Sequence, residues 1–325
     1  MRCAWVERFD DQDPLAGLRL GDRDVTPPAG WVPVEVVAAA ANHHDIWSLR
    51  GVGLSADRLP MILGTDAAGI ADGREVIVHA VVADPAFPDE TLDPRRSILS
   101  ERFHGTFAER VWVPERNLVD KHPDLSWEEA ACLPTAYLTA WRMLTSDSKL
   151  STGDTILVQG ATGGVATAAV VLGHALGYEV WVTSRTGEGR AFALRIGAAA
   201  AFEPGARLPR QVDAVVESVG EATWAHSLAV LRPGGTVLVC GATTGAMPPA
   251  QLNRIFFRSL RVIGSTMGTR DELVALQDFV VAHVRPVISR VRPFADLPAA
   301  LADLWAGRTR GKEVVLLPGG PPRLG

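Results

Sequence analysis

The chain has 325 residues, 47% apolar and 21% charged, enough to bury a two-domain core, which excludes a disordered, collagen-like or disulfide-stapled protein. Its formal charge of −5, with no stretch that concentrates lysine or arginine, speaks against nucleic-acid binding. No uncharged apolar run reaches the ~18 residues of a membrane span. The opening residues lack a signal peptide's apolar core, and Cys3, Cys132 and Cys240 are widely separated, so the expectation is a cytoplasmic protein with reduced thiols.

The first ~120 residues read as short β-rich pieces (WVPVEVVAAAAN, REVIVHAVV, FAERVWVP) parted by proline- and glycine-rich stretches. From Ser126 the run SWEEAACLPTAYLTAWRML has helical spacing, with Glu128 and Glu129 in its first turn. Strands and helices then alternate. TILVQ is followed by a glycine-rich turn and helix, EVWVTS by a helix closed at Gly197, and VDAVVES, GTVLVC and LRVIGS supply further strands. Alternation at ~20–30 residues predicts a parallel, doubly wound sheet. After residue 286 the pieces shorten again, and KEVVLLP reads as a strand that completes the first domain.

The motif TILVQGATGGVATAAVV has the strand–turn–helix form of a dinucleotide site, with Ala161, Gly163 and Ala166 in the G-x-G-x-x-G register. Its turn and first helical residues (Ala161, Thr162, Gly163, Gly164, Val165) offer backbone N–H groups to a pyrophosphate. An ordinary tight turn is the competing reading. About twenty residues on, at the end of EVWVTS, the acid that would hold an NAD ribose is replaced by Ser184 and Arg185, with Arg190 close behind. A hydroxyl and guanidinium groups suit a 2′-phosphate, so the expected cofactor is NADPH.

Together with these, the ordered segments AANHHDIW, ILGTDAAGI, HGTFAERVWVP, LPTAYLTAW, VDAVVESVG, LRPGGTVLVCGATTG, VIGSTMG and GKEVVLL resemble the medium-chain dehydrogenase/reductase superfamily. The likeness is to its zinc-free, quinone oxidoreductase-like branch. The resemblance implies an α/β chain: a GroES-like, β-rich catalytic domain (1–121 and 286–325) around a doubly wound Rossmann domain (122–285). Where zinc-dependent relatives carry their ligands, this chain has Asn42, Thr65-Asp66 and a position at or beside Cys132, and residues 84–103 hold no cysteine. Neither a catalytic nor a structural zinc is therefore expected. An atypical metal set drawn from His43, His44, Asp45, Asp66 and Cys132 is the rival reading.

Without a metal Lewis acid, hydride addition to an enone or quinone is the easier chemistry, because the charge delocalises onto an oxygen that hydrogen bonds stabilise. The candidates for catalysis are Asn42 as a donor to the substrate carbonyl, Asp45 as an orienting or capping group, and Tyr137 as a hydroxyl in core or catalytic use. His43 and His44 are possible proton sources, and Trp47, Trp112, Phe103 and His104 possible pocket walls. By resemblance, Thr139 meets the nicotinamide carboxamide and Ser218-Val219 passes under the adenosine ribose. Cys240-Gly241-Ala242 and Ser265-Thr266-Met267 flank the nicotinamide, and Lys312 reaches the cofactor phosphates. The resemblance also implies a homodimer paired through LRVIGS. The alternatives are an alcohol or aldehyde dehydrogenase, and an NADPH-binding protein with little activity.

Overall fold

The computed structural model describes residues 1–318, which divide into two compact units, 1–136 with 267 onward, and 137–266.

The first unit is built on a seven-stranded sheet in which Val32–Ala41 is the central member. It pairs antiparallel with Asp66–Ala71, with Arg110–Val113, and with the last strand, Lys312–Leu316, which in turn runs parallel to Ile288–Pro293. The terminal KEVVL segment thus completes this unit, as its sequence indicates. The helices His43–Leu49 and Leu297–Trp305 close one side, burying Ile46, Leu49, Leu297 and Leu301 with Val34, Phe107, Val111 and Val315 in one core.

The second unit is a six-stranded parallel sheet. Numbered in chain order within this sheet (Thr155–Val158, Glu179–Thr183, Ala200–Phe202, Val212–Glu217, Leu231–Val239, Arg261–Gly264), its strands lie 3-2-1-4-5-6, the order of a doubly wound dinucleotide-binding fold. Apolar runs on both faces are what such a sheet requires, and Leu157, Val215, Leu228 and Val237 form its core.

Two details depart from the sequence reading. The division falls inside the expected 122–285, because the helix Trp127–Ala131 packs on the strands Val32–Ala41 and Asp66–Ala71, and the helix Arg270–His283 on Leu118–Asp120. The run after Ser126 is also not one helix. Ser126 caps it as foreseen, accepting from Glu129 N at 3.1 Å. It then gives way to a π-helical turn, Leu133–Tyr137, before the helix Leu138–Thr145. Pro134 has no N–H to give an α-helical ladder, so the chain widens there. Among the described residues no helix is long and apolar enough to cross a membrane.

Candidate active site

Strand register sets the site in the first unit. Ala40 lies opposite Asp66, and Ala41 opposite Glu313. The end of the central strand therefore meets the beginnings of both its neighbours, bringing Asn42, Asp66 and Lys312 together although Lys312 is hundreds of residues from the other two. All three are at least nine-tenths buried. The Lys312 ammonium donates to Asp66 Oδ2 (2.9 Å), to Ala41 O (3.0 Å) and to Asn42 Oδ1. Since lysine only donates, this contact fixes the Asn42 amide, whose Nδ2 donates to Asp66 Oδ2 (2.8 Å) and Thr65 Oγ1 (3.1 Å). Thr65 Oγ1 lies 2.9 Å from Thr135 Oγ1, in the π-helical turn.

This arrangement corrects two expectations. The three N–H donors of Lys312 are all taken inside the domain, so its ammonium serves the Asn42–Asp66 pair in place of the phosphate role drawn from the resemblance. The Asn42 amide protons are likewise engaged by Thr65 and Asp66, which makes Asn42 a connector and not a donor to substrate.

Asp45 is the cap that its place early in a helix predicts. Its two oxygens accept from Asn42 N (2.8 Å) and Gly64 N (3.1 Å), which ties the start of its helix to the turn that delivers Thr65 and Asp66. Gly64 sits at φ +96°, where a Cβ would lie 2.8 Å from Phe107 N, so only glycine fits that turn. Burial pushes the Asp45 carboxyl up to about 6, a shift held in check by the charge of His44 and the Asn42 N–H.

A catalytic zinc does not fit here. The donors at the matching positions are an amide, a hydroxyl and one carboxylate, and that carboxylate already holds an ammonium whose charge would repel a dication. Cys132 does not join the cluster as a ligand: its Sγ donates to Glu128 O at 3.1 Å, and burial raises its thiol pKa. The residue that completes the corner is Thr135, three positions later. Among the described residues no group of three or more His, Cys, Asp or Glu could hold a metal. His44 instead pairs with Glu101 at 3.2 Å, and burial lowers the pKa of His43.

In the second unit the expected cofactor residues gather at the carboxyl ends of the parallel strands. Gly160 (φ +88°) turns the chain after the first strand. Gly163 caps the twelve-residue helix Gly164–Ala175 without any side-chain hydrogen bond, and a Cβ built on it meets nothing within 4 Å. With Ala161, Thr162, Gly164 and Val165, this is an open helix N-terminus of the kind that receives phosphate. Ser184 and Arg185 follow the second strand; Arg185 is exposed and has no ion-pair partner among the described residues. Arg190 is held by Ser184 O (2.9 Å) and Glu203 (3.2 Å). Ser218, Val219, Cys240, Gly241, Ala242, Ser265 and Thr266 occupy the ends of the last three strands. A Cβ on Gly241 would lie 3.2 Å from Ser218 O, so these strand-end loops approach closely. The residues present thus fit a dinucleotide.

Sequence reasoning missed what holds this edge in shape. Buried Glu217 accepts from Val219 N (2.8 Å), Gly220 N (3.0 Å), Thr223 Oγ1 and Ser227 Oγ, and Ser227 accepts in turn from Gln159 Nε2. Thr183 donates to Gln159 Oε1 at 2.7 Å, so one polar network ties three strand ends together. A charged residue closing a strand (VVES) and a glutamine just before the glycines are the signals that could have revealed it.

The remaining candidates lie elsewhere. Tyr137 and Thr139 belong to the second unit, with Tyr137 fully buried. Met267 falls in the first unit, packed against Ala80 and Val81. Phe103 packs at a tilt against Trp31 with ring centres 4.6 Å apart, His104 accepts from Ile62 N (3.2 Å), Trp47 meets the edge of His43, and Trp112 lies on an outer strand. Burial raises the Cys240 thiol to about 12, which suits an inert lining residue.

A family model of the alcohol dehydrogenase GroES-like domain matches residues 28–124, and one of a zinc-binding dehydrogenase matches 164–282. A zinc-type alcohol dehydrogenase-like protein, YogA of Leptosphaeria maculans, is 30% identical over 88% of this chain and 89% of its own length. A crotonyl-CoA carboxylase/reductase of Cereibacter sphaeroides is 27% identical over 88% of this chain and 80% of its own. Among solved structures, a thermostable alcohol dehydrogenase from Pyrobaculum aerophilum superposes with a TM-score of 0.88, at 28% identity over 97% of this chain and 99% of that one.

Proposed function

The chain belongs to the medium-chain dehydrogenase/reductase superfamily, and from that premise we propose that it is an NADPH-dependent reductase of carbon–carbon double bonds conjugated to a carbonyl. One observation carries the reading: Asn42, Thr65 and Asp66, which stand where zinc-dependent relatives carry ligands, are tied together by hydrogen bonds with Lys312. Those side chains cannot bind a Lewis acid that acidifies an alcohol, which favours hydride addition to an alkene whose charge delocalises onto a carbonyl oxygen. The likeness to a crotonyl-CoA carboxylase/reductase supports an activated alkene over an alcohol.

The helix N-terminus at Gly163 would hold the pyrophosphate, and Ser184 and Arg185 the 2′-phosphate that distinguishes NADPH from NADH. Gly241 and its neighbours keep the last strand ends low enough for a flat ring to approach. When bound, the nicotinamide supplies the hydride for the β-carbon. The chain's own part is to orient the alkene, to stabilise the enolate oxygen and to admit a proton to the α-carbon.

The test is NADPH consumption against a panel of enones, enoyl thioesters and quinones, with and without chelator. Chelator-insensitive turnover on alkenes is the expected result. Oxidation of alcohols that a chelator abolishes overturns the reading in favour of a metal enzyme. Tight NADPH binding without turnover of any substrate would make the chain a binding protein.

The same reading includes a homodimer. Among the described residues the strand Arg261–Gly264 pairs on one side only, Val262 on it is 45% exposed, and Phe256 and Phe257 just before it are also exposed. An open edge beside apolar surface favours a second copy. Sedimentation of a Val262→Glu variant as monomer, against a wild-type dimer, is the expected outcome. Three cysteines without a disulfide among them fit the reducing cytoplasm.

A further inference from the structure

The polarity of the cluster can be read atom by atom. Lys312 can only donate, so it faces Asn42 Oδ1, and the Asn42 amide must then donate onward to Thr65 Oγ1. Thr65 is fully buried, and among the described residues the one contact left for its own proton is Thr135 Oγ1, 2.9 Å away. Were the bond reversed, the Thr65 proton would be buried without an acceptor, at a cost of about 1–3 kcal/mol. The chain therefore runs one way, from Lys312 through Asn42 and Thr65 to Thr135. Each earlier member is at least nine-tenths buried, whereas Thr135 alone is half-buried. The π-helical turn Leu133–Tyr137 presents it, a widened turn of the kind that recurs at functional sites.

We propose that the Thr135 hydroxyl, which accepts from Thr65 on one lone pair and has its own proton left for a ligand, is the catalytic hydrogen-bond donor to the substrate's carbonyl oxygen. Lys312, Asn42 and Thr65 are its positioning residues. The proposal rests on the alkene-reductase reading and names the oxyanion-holding group within it. When hydride adds to the β-carbon, the π electrons move to the carbonyl oxygen, and the Thr135 proton shares that charge. No proton leaves the chain, because each hydroxyl and amide is already oriented, and the buried ammonium is the fixed positive end. The α-carbon takes its proton separately, from solvent.

The experiment compares Thr135→Val and Thr135→Ser with wild type. In Thr135→Val, kcat for enone reduction should fall about 10²-fold, the loss typical of an oxyanion donor, while NADPH affinity by fluorescence titration stays unchanged. Thr135→Ser should recover most of the rate. A purely structural role would be moved equally by stability, so melting temperatures are recorded alongside. Thr135→Val turning over at the wild-type rate overturns the proposal.

If wild type reduces nothing on the panel, the functional reading has failed and a second arm decides this one. 4-Nitrophenolate, an enolate mimic with a strong visible band, is titrated into the NADP-loaded protein. Binding that weakens about tenfold in Thr135→Val sustains the donor assignment independently of turnover. Equal binding, or none by wild type, overturns it. Should Thr135→Val fail to fold, the paired Lys312→Met/Asp66→Asn variant, which removes both buried charges together, takes its place. It should lose rate in the first arm or phenolate affinity in the second, and retention of both overturns the proposal.

Discussion

The two strand-end regions solve opposite problems. In the second unit, the ends of the parallel strands are stripped down: glycines at 160, 163, 220 and 241, a helix with no side-chain cap, and an arginine with no ion-pair partner among the described residues. In the first unit, the strand ends are filled: a lysine and an asparagine both donate to one oxygen of a buried aspartate beneath two threonines. In the reading proposed above, one region binds through backbone left bare and the other acts through side chains already engaged. A nucleotide brings its own charges and needs room, whereas a transition state brings a charge that exists only briefly and needs a rigid environment already in place.

That contrast can be broken by experiment. If the first region is a closed ion pair, Lys312→Ala leaves Asp66 charged and alone in the interior. The expected loss, read by urea unfolding, is about 3–5 kcal/mol. A loss below about 1 kcal/mol would mean that water already reaches the pair.

Asp45 sharpens the same point through pH. Its carboxyl is raised by burial from 3.8 to about 6, so the folded chain holds this proton more tightly than the unfolded chain. The associated stability is fully present below about pH 4 and is lost as pH rises through about 6. Relative to Asp45→Asn, wild type should therefore lose about 3 kcal/mol between those limits, since each tenfold difference in proton affinity is worth about 1.4 kcal/mol. A gap that does not change with pH would show Asp45 to be solvated.

On the open side, Arg185→Ala should weaken NADPH about tenfold and leave NADH untouched, since a lone exposed guanidinium is worth one phosphate contact. Equal loss of both nucleotides would remove the 2′-phosphate from this region.

The two regions also differ in how far the sequence exposes them. The parallel sheet and its glycine turn are legible because strand, turn and helix adjoin in the chain, and glycine marks where backbone must be bare. The first unit's strands are legible as β, and so is the return of KEVVL to complete it. What is not legible is register. Lys312 meets Asn42 across 270 residues and Asp66 across 246, and a shift of one residue would turn each to the other face. Without register, the lysine reads as a phosphate ligand and Asn42 as a substrate donor, while Thr135 goes unnoticed beside the more conspicuous Cys132. The break at Pro134 that exposes Thr135 is hidden for a related reason, since apolar spacing alone does not distinguish α from π.

The place of the strand Lys312–Leu316, between Val32–Ala41 and Ile288–Pro293, bears on how the molecule is made. A ribosome delivers this strand only after the six strands of the parallel sheet. Until then the central strand of the first unit has an unpaired edge, and Asp66 lacks its cation. The nascent protein thus carries all strands of its parallel sheet while the sheet of the first unit still lacks a member, an interval in which chaperones have exposed edge to cover. The Asn42–Asp66–Lys312 cluster is completed only when this strand docks.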